Sequence, residues 1–318
     1  MGDPNFPSNL AIQPSHPTQD SRINLSFDQE SGIETYGIAG RVWEAAYTLA
    51  IYTTPPTEAL DSTSDSIDHG IEFDPPCSLF HADTNLTVIE VGSGTGYAGI
   101  HLSQQLNLFR RRHTVRSDVS VLVILTDLPN VVPLLDKGLE EYAETFGPVQ
   151  VQAQSLAWGD ADHAADLARR LKESQRSITH VLCSDLVYFP FLYPPLLRTL
   201  LGLTSPPFCH GSSPEIIIGC RIRSLAKESP FWQVFGTWFT FEAVLARKKR
   251  SQGKEQDDWT RFGQASDTLI FVATRRPESL NWEVPVLDSQ LMSGYGPTPP
   301  MHNDTFENIL MLGIADDV

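Results

Sequence analysis

The sequence predicts an α/β fold, a mostly parallel sheet of seven strands with helices on both faces. Two observations carry that expectation: short apolar runs alternate with helix-length amphipathic segments from residue 86 onward, and the runs number seven. The runs are 86–91, 119–126, about 149–156, 178–184, 215–220, 234–245 and 267–274. Helices are expected over 97–109, 130–146, 161–175 and 190–202, with a further one beginning near Pro230. The stretch FWQVFGTWFTFEAVLA suits a buried helix and a wide strand alike, and is divided near Gly236.

Upstream, residues 37–52 place Val42, Ala45, Ala46, Leu49 and Ala50 at helical spacing, so a first helix is expected there. The preceding segment holds four prolines among its first 22 residues, with Asn, Ser and Gln, and is read as part of a flexible arm over 1–35. One domain then covers 36–275, with a linker or insertion at 54–83, and residues 276–318 form a peripheral tail. No fixed-period repeat is present.

Composition narrows the function classes. With 23 Lys and Arg against 39 Asp and Glu, the net charge of −16 repels a phosphate backbone and suits a basic protein partner better than nucleic acid. The two basic clusters, Arg110-Arg111-Arg112 with Arg116 and Arg247-Lys248-Lys249-Arg250 with Lys254, lie between expected elements and read as solvated loop charge. Cys77, Cys183, Cys209 and Cys220 include no C-x-x-C pair, so reduced thiols are expected. The histidines are scattered without ligand spacing, and no metal site is expected. The first residues lack the pattern of a secretory signal, and no run reaches the ~18 apolar residues of a membrane span. A soluble, cytoplasmic protein without membrane association is the expectation.

The sharpest local signal is Val88-Ile89-Glu90-Val91-Gly92-Ser93-Gly94-Thr95-Gly96, an apolar strand ending in an acid and running into a glycine turn. Glycines permit positive φ and close backbone approach, and the helix that follows offers free N–H groups. Gly94-x-Gly96-x-x-Gly99 also satisfies a dinucleotide spacing, so a nicotinamide-dependent oxidoreductase is an alternative on glycines alone. Glu90 argues otherwise: a carboxylate at the strand mouth opposes a pyrophosphate but suits a cationic amino group. Asp127, ending the second strand, stands where ribose hydroxyls or a helix cap would use an acid.

Taken together, these motifs resemble the seven-β-strand, class I, S-adenosylmethionine-dependent protein-lysine methyltransferases, including fungal enzymes that modify translation elongation factors. The resemblance spans about residues 36–275 and rests on four further segments. They are Gly40-Arg41-Val42-Trp43-Glu44-Ala45-Ala46, Leu156-Ala157-Trp158-Gly159-Asp160, Ser184-Asp185-Leu186-Val187-Tyr188 and Arg223-Ser224-x-x-Lys227-Glu228-x-x-Phe231-Trp232. It implies a Rossmann-like fold and a donor site at Trp43, Glu90, Gly92, Ser93, Gly94, Gly96, Asp127, Trp158 and Ser184. It further implies that Asp185 and Tyr188 act at the target amine, that the substrate is a protein such as an elongation factor, and that the enzyme works as a monomer.

Methyl transfer to an amine asks chiefly for alignment and exclusion of water. Asp185 is accordingly expected to position the amine, and Tyr188 to wall its channel. Alternatives on the same fold are a small-molecule or nucleic-acid methyltransferase, although Ser184-Asp185-Leu186-Val187-Tyr188 lacks the Pro-Pro of amino-methylating nucleic-acid enzymes. A non-catalytic binding module docking through Phe231–Phe241 is the last alternative.

Overall fold

The computed structural model describes residues 5–7, 10–16, 25–55, 70–80, 84–113, 116, 118–248, 258–296 and 303–312. Its strands are β1 (Ile71–Asp74), β2 (Leu86–Val91), β3 (Val121–Asp127), β4 (Gln150–Ser155), β5 (His180–Ser184), β6 (Glu215–Arg221), β7 (Phe239–Ala243), β8 (Leu245–Lys248), β9 (Thr260–Arg261) and β10 (Thr268–Arg275). The α-helices are α1 (Gln29–Tyr36), α2 (Glu44–Tyr52), α3 (Tyr97–Arg112), α4 (Val132–Tyr142), α5 (Ala161–Glu173), α6 (Tyr193–Leu203), α7 (Leu225–Trp238), α8 (Asp288–Met292) and α9 (Thr305–Leu312).

Seven strands form the main sheet in the order β4-β3-β2-β5-β6-β10-β7. Neighbours run parallel except at β10, which is antiparallel to both β6 and β7. Strand β2 explains the two-sided cover. Every one of its residues is buried, with Ile89 and Val91 packed among α5, α6 and α7 and Leu86 and Val88 among α2, α3 and α4. A period of two on a strand wrapped on both faces reads as a continuous apolar run, which is why 86–91 stood out. The chain departs from β2 toward β3 and β4 on one side and places β5 and β6 on the other. A crevice therefore opens beyond the carboxyl ends of β2 and β5, where open α/β sheets bind ligands.

Several expectations need correction. Residues 234–245 are not one strand: helix α7 continues through Trp238, and β7 begins only at Phe239. Phe231, Phe235 and Trp238 recur at spacings of four and three and are all buried, so helical packing claims them before the alternating Phe239 and Phe241 begin the strand. The helix over 37–52 is instead a 3-10 turn, Gly37–Gly40, followed by α2 from Glu44. Gly40 lies so close to α1 that a Cβ there would stand 2.0 Å from the Gly32 carbonyl carbon, so glycine is needed at this crossing.

The described part of the 54–83 segment is structured too: β1 pairs antiparallel with β8, which pairs with β9, and Leu79 enters the core. The remainder of that segment, 56–69 and 81–83, lies outside the described residues. So do Lys249, Arg250 and Lys254 of the second basic cluster, whose Arg247 is paired with Glu72 at 2.8 Å.

The described residues after Arg276 pack into the core, contrary to the expected peripheral tail. Phe306 on α9 is fully buried and stacks on Trp232 at 5.2 Å, while Leu291 on α8 is equally enclosed. Trp282 and Tyr295 stack at 4.1 Å beside Trp238. At the other end, residues 29–35 of the expected flexible arm are helical, with Asp28 capping α1 through Ser31 N–H, and Asn5 and Ser15 are buried against the domain. Among the described residues no helix is long and apolar enough to cross a membrane, and no group of three or more His, Cys, Asp or Glu could hold a metal ion.

Candidate active site

The crevice is built on the turn after β2. Gly92, Gly94 and Gly96 adopt φ of 62°, 54° and 77°, values that favour residues without a Cβ. Hydrogen bonds stitch this turn to the end of β3: Ser93 N–H donates to the Thr126 carbonyl at 2.9 Å, and Thr126 N–H returns a bond to Ser93 Oγ at 3.0 Å. Gly94 N–H donates to Asp127 Oδ2 at 2.8 Å, and Leu128 N–H to Asp127 Oδ1 at 2.7 Å. Asp127 thus holds the glycine turn in shape. Each of its oxygens keeps a lone pair for a further donor.

Around the turn lies a cavity of about 300 Å³. Trp43, Glu90, Gly92, Ser93, Gly94, Asp127, Trp158, Ser184, Asp185 and Tyr188 all line it, so ten of the eleven residues singled out from the sequence converge on one space. Gly96 does not. It caps α3, and a Cβ there would meet Leu125 and Leu135 at 3.1 Å, so its place is in the packing beneath the turn. At Gly92 a Cβ would stand 2.9 Å from Trp158 Cζ2, which makes close approach of backbone and indole possible. Trp43 is fixed by its Nε1–H bond to the Ile38 carbonyl at 2.9 Å, and the Arg41 guanidinium lies 4.2 Å from its ring centroid.

Among the described residues, Glu90 Oε2 and Ser184 Oγ, on two residues that line this cavity, are buried without a hydrogen-bond partner. Burial pushes the Glu90 carboxyl up to about 8, despite the Ser93 hydroxyl and Gly99 N–H, and the nearby Asp127 charge adds to the rise. Burial likewise raises Asp127 to about 6, against the Gly94 and Leu128 N–H groups. A cation in the cavity would relieve both. The orphaned acid, the second carboxylate, the open glycine faces and the indole walls fit a group carrying a positive centre, ribose hydroxyls and a flat base.

Sequence reasoning missed the charge arrangement at the mouth. Arg223 donates two hydrogen bonds to Asp185, at 2.8 and 2.6 Å, and its guanidinium lies 5.1 Å from the Trp43 ring centroid. Glu44 joins the network through Arg41 at 2.6 Å and Arg221 at 3.3 Å. Burial alone would raise the Glu44 carboxyl, but the Arg41 hydrogen bond and the two guanidinium charges hold it at about 2. Asp185 sits at φ 61° with its side chain 1% exposed, so its carboxylate is aimed by Arg223 rather than left free in the cleft. The two arginines of Arg221-Ile222-Arg223 at a strand mouth would have been the signal, had their partners 36 to 179 positions away been knowable.

The profile of the lysine methyltransferase family matches residues 19–236, more than half of the chain. The chain belongs to that family. Protein-lysine N-methyltransferase EFM6 of Saccharomyces cerevisiae is 28% identical over 194 residues, covering 59% of this chain. The match spans 65% of the length of that relative. The matched family range contains the glycine turn, both indole walls and the Asp185–Arg223 pair of this lysine methyltransferase family member. Methyltransferases of such a family draw on S-adenosylmethionine in general.

Proposed function

We propose that the chain transfers a methyl group from S-adenosylmethionine to a lysine side-chain nitrogen of a protein, with a translation elongation factor as the candidate substrate. We place it in the cytoplasm, working as a monomer. One observation carries the reading: a single cavity collects the acid ending β2, the glycine turn, the acid ending β3, two indoles and Asp185 with Tyr188. The donor supplies an electrophilic methyl on a sulfonium. Trp43, Trp158, Asp127 and the glycine turn would hold it, and Glu90 with Ser184 would meet its polar methionine end.

The protein's part is then positional. Arg223 fixes the Asp185 carboxylate, whose Oδ2 accepts one of its N–H bonds and keeps a lone pair for an amine N–H. Burial raises the Tyr188 phenol above its ordinary value, so it stays protonated and neutral and acts as wall and hydrogen-bonding group, not base. An aromatic row runs outward from it. Tyr188 meets Phe189 edge-on at 4.8 Å, and Phe189 stacks on Phe191 at 5.4 Å. Phe191 is 67% exposed, so the row leads from cavity to surface and can cover the apolar stem of an incoming lysine.

Replacing Phe191 with alanine is expected to raise KM for the protein substrate roughly fivefold while donor affinity stays unchanged, since only exposed apolar contact is lost. Steady-state kinetics with donor titration by calorimetry checks both halves. The reaction itself is tested by incubating the protein and methyl-labelled donor with extract from cells that lack it, then locating the modified peptide by mass spectrometry. Label on a lysine of one protein supports the reading, and label confined to nucleic acid or metabolites overturns it.

A further inference from the structure

The described N-terminal residues reach the same cavity from outside the family range. Asn5 and Leu10 line it together with the glycine turn, although the matched range starts at residue 19. The segment is pinned at both ends. At one end the Asn5 carbonyl accepts Ile38 N–H at 2.9 Å, beside Gly37 at φ 58°. A Cβ at Gly37 would stand 1.9 Å from the Asn5 oxygen, so glycine there is what admits the strap.

At the other end Gln29 clamps Ser15 on both backbone groups, accepting its N–H at 3.1 Å and donating to its carbonyl at 3.0 Å. Ser15 Oγ bonds the Tyr47 hydroxyl at 2.7 Å and the Val42 carbonyl, and the Gln13 carbonyl accepts Arg41 Nε–H at 2.7 Å. Arg41 is the residue stacked on Trp43, so the strap is tied to a wall of the cavity.

We propose that the described residues 5–7 and 10–15 are a structural part of the methyl-donor site, its roof, with Leu10 as the side chain that covers the bound nucleoside. The proposal rests on the donor-site reading above. Leu10 lies between two anchored ends and is 42% exposed, with one side turned to the cavity and the other to solvent. Pro7 and Pro14 restrict the free chain, so ordering the strap costs little entropy. Its described residues, 5–7 and 10–15, carry no helix or strand, so the strap can lift to admit donor and release product. Closed, it removes apolar donor surface from water and slows escape.

Calorimetry and stopped-flow dissociation with S-adenosylhomocysteine, which binds without turnover, test this on the full chain, on Leu10→Asp and on a chain lacking residues 1–16. Both variants are expected to raise Kd by about tenfold, mostly through faster dissociation, and Leu10→Asp to leave thermal unfolding of the ligand-free protein little changed. Should the shortened chain not fold, Leu10→Asp in the full chain decides alone. Folded variants that bind and release the nucleoside as the full chain does overturn the roof but leave the donor site standing. A full chain that binds none overturns both.

Discussion

Asp185→Asn is expected to lower kcat/KM by about a hundredfold while costing the fold only ~1 kcal/mol, and Arg223→Met to cost the fold ~3 kcal/mol or more. The asymmetry follows from where each charge is left. The Asp185 side chain is 1% exposed and the Arg223 side chain 32%. Without Asp185, the guanidinium can turn to water and keep its contact with Glu44, 3.7 Å away. Without Arg223, a carboxylate stays buried with the Arg221 N–H, at 3.2 Å, still donating to it. Asparagine is the right replacement because position 185 sits at φ 61°, which Asn tolerates and alanine does not. Urea unfolding ranks the two variants, and initial rates with labelled donor read the chemistry. Wild-type turnover in Asp185→Asn would remove the carboxylate from the reaction.

Donor affinity is expected to rise with pH, on the order of tenfold per unit between pH 6 and 7, and to level off near pH 8. Glu90 is neutral in the empty cavity below its raised value of about 8, so a cationic ligand must first drive off its proton. The sign for the fold is opposite. A carboxyl whose folded value lies above 4.5 stabilises the native state most below that pH, and the contribution is lost as pH climbs through about 8. Asp127 behaves alike over the window from 3.8 to about 6. Glu90→Gln should therefore flatten both curves between pH 5 and 8 and weaken donor binding at pH 8 by tenfold or more. Calorimetry in buffers of different ionisation enthalpy would detect the released proton. A pH-independent Kd in the unaltered protein would show that Glu90 does not answer the ligand's charge.

The parts of this molecule that could be read in advance are those fixed by local rules. The continuous apolar run of β2, the positive-φ glycines, and acids at the ends of β2, β3 and β5 follow from two-sided burial and turn chemistry within a few residues. What escaped notice depends on partners distant along the chain. Arg223 meets Asp185 across 38 positions, Gln29 clamps Ser15 across 14, and Phe306 covers Trp232 across 74. None of these has a signature in its own neighbourhood. The aromatic stretch around Trp238 misled for a different reason: a run of large rings satisfies two periods at once, and only the packing against α9 and β10 decides between them.

Strand β10 lies between β6 and β7, although it is made after both. As the chain leaves the ribosome, β7 has no neighbour to pair with until residues 268–275 follow, and Trp232 keeps one face bare until Phe306 arrives. The nascent protein must therefore carry an unfinished sheet edge and an uncovered indole through the synthesis of some thirty further residues or more. Nonsense or frameshift lesions downstream of Arg276 would spare every residue of the cavity yet release a chain that chaperones and proteases treat as incomplete.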